Sequence, residues 1–396
     1  MQPTSSSYLE RWLAHVRHLA ETIGPRGPTT AGERRGAEYC RQTLAGLGLS
    51  DARLEPFVGA WTIFRPHVFF ALAMLVAFGL YPVAGRLSAG LAAGLSVIAL
   101  VSELLELSFV ANPLRWLVGK SPSQNTVATL DPAGEHRQDL ILVGHVDTQR
   151  TPIFFRSPRW VSIYQSFTTA AFVFFGAQVL LYLLGAVTQW PGLWWASIPC
   201  ALCAITMVGF FLHADRTPFT AGANDNATAA GLLLALAEHL RAEPLSHTRV
   251  WFACTGCEET QHYGAIDFYR RHRQAFVRPV SVTFEMLGCD GPAWLTQEGI
   301  VIPFRADPGL LALVEQLSAE HPEWGAYPAQ IKGGNTEMAD ALRAGIPAIT
   351  LTGQGPKGEM PYWHQVGDTA DKLDPEVMGR AYAFTWAFIR ALDERV

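Results

Sequence analysis

Two stretches of the chain lose polar periodicity altogether. Between Arg159 and Asp215 no Lys, Arg, Asp or Glu occurs for 55 residues. Within that gap the apolar runs Val161–Val187 and Leu193–Leu212 are separated by Thr188-Gln189-Trp190-Pro191-Gly192, a polar, helix-breaking turn edged with Trp. Runs of about 20 apolar residues match the thickness of a bilayer, so the pattern predicts a membrane-spanning helical hairpin. An earlier pair, Pro66–Gly85 and Leu87–Val110, turns near Pro82 to Arg86. Its second arm carries Glu103 and Glu106 on one helix face. A carboxylate at mid-bilayer costs roughly 2.5–3.5 kcal/mol, which puts both near one end of the span. Four buried or amphipathic helices of a soluble protein are the competing reading.

The remainder alternates strand-like and helix-like stretches. Asn125–Leu130, Asp139–Gly144, Thr248–Cys254, Val280–Glu285 and Ala348–Thr352 are short, β-branched or aromatic, and bounded by turns, as buried strands are. Ala227–Leu240, Ala265–Gln274, Pro308–His321, Thr336–Ala344 and Pro375–Leu392 have helical patterns. Two hairpins return the chain to the same side of a membrane. Residues 1–64, 111–160 and 213–396 are therefore expected to build one α/β domain, with residues 65–110 and 161–212 as inserted hairpins. Arg65, Arg115, Lys120, Arg156, Arg159 and Arg216 flank the spans on that side against Arg86 alone on the other, which favours a cytoplasmic domain on a multi-pass plasma (inner) membrane protein. No charged-then-apolar leader opens the sequence, so the first span is expected to act as its own insertion signal.

Composition sharpens this division. Apolar residues make up 49% and charged residues 16%, against about 25% charged in ordinary soluble domains. A net charge of -5 without a basic block excludes the usual nucleic-acid footprint. Six cysteines in 396 residues do not make a disulfide scaffold.

Candidate chemistry clusters where strands end. His145 and Asp147 follow the second strand two residues apart, so both face one way, as a metal-binding imidazole and its orienting carboxylate would. Asp225, in Ala223-Asn224-Asp225-Asn226, opens directly into an apolar helix and is either an N-cap or a carboxylate shared by two cations. Glu258 and Glu259 close the next strand. Adjacent carboxylates there point apart, so one can bind a metal while the other serves as general base. Cys254-x-x-Cys257 just before them reads as a dithiol or as packing. Glu285 ends an apolar strand, where burial without a partner is costly. His364 lies in the loop Tyr362-Trp363-His364-Gln365 ahead of the last helix. Five such donors at strand ends and loops fit a metal site in an α/β fold.

This order of motifs resembles the di-zinc aminopeptidase family, whose relatives include bacterial leucyl aminopeptidases, glutamate carboxypeptidases and glutaminyl cyclases. The resemblance starts in Thr29-Thr30-Ala31-Gly32-Glu33-Arg34 and runs through all five ligand positions. It implies a three-layer α/β/α sandwich with a mixed central sheet, here with four inserted transmembrane helices in two hairpins. It also implies two Zn²⁺ ions, one held by His145 and Glu285, the other by Glu259 and His364, with Asp225 bridging. Glu258 then matches the general base and Asp147 the carboxylate behind His145. Three departures stand out: Glu285 where Asp is usual, Thr336-Glu337-Met338 where Ser-Asp-His is typical, and 80 positions between His145 and Asp225, an excess filled by the second hairpin.

The expected function is a membrane-anchored metallopeptidase, an aminopeptidase by this resemblance, hydrolysing peptide bonds with activated water. An amidohydrolase, a glutaminyl-cyclase-like enzyme and a non-catalytic receptor or scaffold are the alternatives. Peptide or amide substrates and the lipid bilayer are the expected partners; side-chain preference and oligomeric state stay open.

Overall fold

The computed structural model describes residues 5–396; residues 1–4, the start of the first expected catalytic segment, lie outside them. The chain divides into two compact units. One comprises the chain up to Trp61, Lys120–Gln149 and Phe219–Val396; the other Thr62–Gly119 and Arg150–Pro218.

The first unit is built on a nine-stranded mixed sheet. Its strands are β1 (Arg53–Ala60), β2 (Lys120–Leu130), β3 (Gln138–His145), β4 (Thr248–Thr255), β5 (Val280–Glu285), β6 (Ala293–Glu298), β7 (Phe304–Arg305), β8 (Tyr327–Gln330) and β9 (Ala348–Thr352). They run in the order β1-β2-β4-β3-β5-β9-β6-β7, with β8 pairing β6. The middle four, β4-β3-β5-β9, are mutually parallel, whereas β1, β2 and β6 run antiparallel to their neighbours on this path. All five strands expected from the sequence are present. β7 and β8 escape the pattern because they are only two and four residues long, and β1, an edge strand, because it is only partly apolar and includes Pro56; β6 was missed although it is as long as β5.

Every residue of β3 is buried, as a central strand covered on both faces must be. The helix Thr228–Ala242 supplies Leu232, Leu233 and Leu236 to the same core, with Trp12 from the helix Ser5–Arg17 and Phe384 and Phe388 from Pro375–Glu394. Parallel strands share one C-terminal rim, where ligands bind in open α/β sheets.

The second unit is helical. Gly85–Leu107 (23 residues) and Pro158–Thr188 (31 residues) are long and apolar enough to cross a membrane. The other two expected spans are shorter than their apolar runs: Arg65–Leu80 has 16 residues and Ile198–Ala214 has 17. At 1.5 Å per residue these reach only about 24–26 Å, less than a hydrocarbon core of about 30 Å. The chain between 193 and 197 is spent on a separate short helix, Gly192–Ala196, ahead of Pro199.

Candidate metal centre

All seven residues singled out from the sequence meet at the C-terminal rim of β3, β4 and β5. His145 is the last residue of β3 and Glu285 the last of β5, while Glu258 and Glu259 follow β4 by three and four residues. Asp225 lies in the turn ahead of Thr228–Ala242, and His364 in the loop after β9. His145 Nε2 stands 3.4 Å from Asp225 Oδ1 and 3.7 Å from Glu285 Oε2. His364 Nε2 stands 3.4 Å from Asp225 Oδ2 and 3.1 Å from Glu259 Oε2. Two trios share Asp225, His145–Asp225–Glu285 and Asp225–Glu259–His364, each with its ligand atoms within 4.8 Å of one another, and His145, Glu258 and Glu259 form a third possible grouping of the same kind. Tetrahedral zinc ligands at about 2.0–2.2 Å from the ion are about 3.3–3.6 Å apart, so the spacing of these donors fits such an ion. Asp225 gives one oxygen to each trio.

The loops that carry these side chains are held by hydrogen bonds. Asp368 accepts the backbone N–H groups of Asn224 at 2.6 Å and Asp225 at 3.0 Å. Asn226 donates its amide to Glu285 Oε2 at 3.1 Å and to the Phe284 carbonyl at 3.0 Å, which steadies the longer fifth side chain. Gln149 donates to Glu259 Oε2 at 3.0 Å. Arg26 is fully buried and donates to the carbonyls of Leu19, Gly24, Val146, Ala221 and Gly222, tying the Asp225 loop to the end of β3.

One expected contact takes a different form. The Asp147 carboxylate lies 3.6 Å from His145 Nδ1, too long for a hydrogen bond, and its backbone carbonyl lies closer, at 3.1 Å. The carboxylate accepts instead from the backbone N–H groups of Glu258 and Glu259, both at 3.1 Å. Asp147 thus fixes the acidic loop as well as the imidazole. Cys254 and Cys257 are buried and, among the described residues, fall in no group able to hold a metal. Hydrogen bonding with Cys40 and burial push the Cys254 thiol well up, and burial does the same to Cys257; neither is an activated thiolate.

The electrostatics show an excess of enclosed acid. Burial pushes Glu259 well above the usual carboxylate range, with the Asp225 and Glu258 charges adding to it, and raises Glu285 to about 7. Burial also opposes ionisation of Asp225, but His145, His364 and Arg26 outweigh it and hold this carboxyl low. Burial works against a charge on His145 too, yet the carboxylates around it push the imidazole well up. His364 is driven down to about 4 by burial. Asp225 Oδ2 and Glu259 Oε1 are buried and accept no hydrogen bond. Buried anionic oxygens of this kind are stabilised by a cation, and the donor set of two imidazoles and three carboxylates is one that zinc accepts.

Arg26, Asn226, Asp368 and Gln149 were not singled out from the sequence. Asn224-Asp225-Asn226 in front of an apolar helix was the available signal for the amides. The roles of Arg26 and Asp368 depend on loops that meet only in the folded chain.

The rim of a mixed α/β sheet thus gathers side chains able to hold metal ions, and part of the chain matches a known family. Residues 206–389 match the model of peptidase family M28, a match that takes in Asp225, Glu258, Glu259, Glu285 and His364 and begins after His145 and Asp147. The whole fold is similar to a glutaminyl cyclase of Porphyromonas gingivalis, with a TM-score of 0.57 and 15% identity over 98% of each chain. It is similar as well to a leucine aminopeptidase precursor of Bacteroides thetaiotaomicron (0.56, 12%, 96% of each chain). LapB of Legionella pneumophila matches at 0.54 and 12%, over 99% of this chain and 75% of that one. No curated protein matches the sequence. The resemblance read from the motifs is thus met by an M28 match and by neighbours of both the aminopeptidase and the cyclase kind.

Proposed function

We propose that the protein is a membrane-held di-zinc aminopeptidase. The observation that carries this reading is the pair of ligand trios sharing Asp225, with Glu258 unassigned to either and facing the same space, its Oε2 3.7 Å from His145 Nε2. Zinc bound in the two trios would polarise the scissile carbonyl and bring a water's pKa to about 7. Glu258 takes the proton of the attacking water as the C–O bond forms, then returns it to the leaving amine as the C–N bond breaks. Asp147, through the amides of Glu258 and Glu259, holds base and ligand in register.

Membrane attachment is supported by large apolar side chains left bare on the second unit. Leu87 is 70% exposed, Leu180 69% and Val187 73%, and Trp190 and Trp195 are exposed at the turn where aromatic residues mark an interface. The surplus of basic residues beside the catalytic segments supports a cytoplasmic catalytic unit.

The test uses the full chain purified in detergent. Metal analysis should find two equivalents of zinc, and hydrolysis should be confined to peptides with a free α-amine. Cleavage of N-blocked peptides alone would overturn the aminopeptidase assignment, and absence of bound zinc would leave a scaffold. The glutaminyl cyclases among the similar structures favour one second reading. Cyclisation of an N-terminal glutaminyl peptide without peptide hydrolysis would establish it.

A further inference from the structure

Glu258 has two differently placed oxygens. Oε2 faces the ligand trios, whereas Oε1 lies 3.1 Å from His262 Nε2. His262 in turn sets its Nδ1 2.6 Å from Asp340 Oδ2, on the short helix Met338–Arg343. The imidazole is fully enclosed. The local chain makes this possible: the N–H groups of Gln261 and His262 both donate to the Glu258 carbonyl, at 3.0 and 2.9 Å, closing a turn that brings side chains i and i+4 together. His262 adopts φ 57, in the left-handed region that a non-glycine residue enters at a cost. Such conformations persist where the surroundings dictate them, and here both ring nitrogens are engaged.

A neutral imidazole has one N–H and one lone pair. Placed between two carboxylates it would set that lone pair against an oxygen, so satisfying both contacts takes a proton on each nitrogen. The surroundings favour that state: the Asp340 and Glu258 carboxylates that face the ring push it well up against the opposing effect of burial, while Arg343 Nη1, 3.6 Å from Asp340 Oδ1, is a basic group facing the cluster and the nearby Glu298 and Glu337 are themselves raised to about 8 by burial.

We infer that His262, clamped by Asp340, is a positioning residue for Glu258: it ties down Oε1 by donation from Nε2 and thereby leaves Oε2 turned to the reacting water. This rests on the reading of Glu258 as general base. Without the clamp, the carboxylate is free to rotate about its last side-chain bonds, and misplacement by about 1 Å is worth on the order of 100-fold in rate.

The experiment compares His262→Leu with His262→Gln in the full chain in detergent. Leu fills the space without a donor; Gln can donate from near the Nε2 position. Both variants should bind zinc as the parent does. His262→Leu should lose about 10- to 100-fold in kcat with KM within about threefold, because positioning acts after binding. His262→Gln should recover most of that loss. Parental kcat in the Leu variant, or equal loss in Leu and Gln, would overturn the inference. Histidine-¹⁵N NMR gives a readout that needs no turnover. His262 should show two strongly deshielded N–H protons, both lost in His262→Gln; one such proton alone would also overturn it. If the parent protein hydrolyses no peptide, the proposed function fails, and the NMR result still decides the clamp.

Discussion

Buried acid is handled differently in the two units. In the helical unit each carboxylate has a base of its own. Glu103 Oε1 sits 2.6 Å from His67 Nδ1, Glu106 Oε2 accepts from Arg115 Nε at 3.1 Å and from Asn112, and Asp215 is held by Arg65 and Thr62. In the sheet unit the carboxyls of Asp147, Asp225, Glu258, Glu259 and Glu285 converge on His145 and His364, and Arg26 spends its donors on backbone carbonyls. Charge that is paired locally serves architecture and is replaceable as a pair. Charge that converges without enough counter-charge is incomplete until a cation arrives, so the sheet unit, not the helical one, is where chemistry belongs.

The strongest way to break this contrast is to remove the residue common to both trios. Asp225→Ala should abolish binding of both zinc equivalents and reduce turnover to background, as read by metal analysis and peptide hydrolysis. Retention of one tightly bound ion would mean that the trios are independent and Asp225 is no bridge. Next in size, Glu258→Gln should lower kcat by about 10²- to 10⁴-fold, the usual contribution of a general base, while leaving zinc content at two. Unchanged hydrolysis would strip Glu258 of its role.

The helical unit offers the opposite outcome. Glu106→Leu leaves Arg115 buried without its carboxylate and should destabilise the protein by about 3–5 kcal/mol. Adding Arg115→Leu should return most of that loss, with zinc content unchanged throughout. Denaturation of the single and double variants in detergent measures the difference. If the double variant is as unstable as the single, the pair is not the self-contained unit described here.

How much of this was legible in the sequence follows from the range of the interactions involved. The parallel strands were visible because central strands are apolar on both faces, and β3 is buried at every position. His145, Glu259 and Glu285 were visible as candidate ligands because they sit at or just past strand ends that pattern alone locates, whereas Asp225 and His364 stood out as polar loop residues ahead of helices. The Asp147 contact was legible only in part: residues two apart on a strand share a face and Asp147 does lie against His145, but the turn after His145 also brings that carboxylate to the amides of Glu258 and Glu259. His262 went unnoticed because its partner Asp340 lies 78 positions away and no local pattern joins them. Span lengths misled for a related reason. Hydropathy counts apolar residues, but Pro199 and the short helix before it divide one run that composition alone reads as continuous.

The smallest effect is a pH dependence that should belong to the sheet unit. Glu33 accepts from the amides of Cys257 and Thr29 and from the Ser123 hydroxyl, all at 2.8 Å, and burial raises it to about 8. Burial does the same to Glu298. Their unfolded values are near 4.3, so between pH 7 and 8 the folded state binds more protons than the unfolded one. Stability then falls as pH rises. His145 and His262, both pushed up by neighbouring carboxylates, act in the same direction. His15 and His364, driven down to about 4 in the folded state, still hold about a quarter of a proton each at pH 7 when unfolded, which opposes the trend but is too little to change its sign. The unfolding midpoint of the chelated protein in denaturant should therefore drop from pH 7 to pH 8. Zinc should shrink that drop, because a bound cation takes the place of protons on His145, Glu259 and Glu285. Glu33→Gln should lessen it by up to about 1.4 kcal/mol per pH unit, one proton's worth, with or without zinc. A midpoint that rises with pH in chelator would mean that the enclosed acid is already compensated, and the contrast between the two units would go with it.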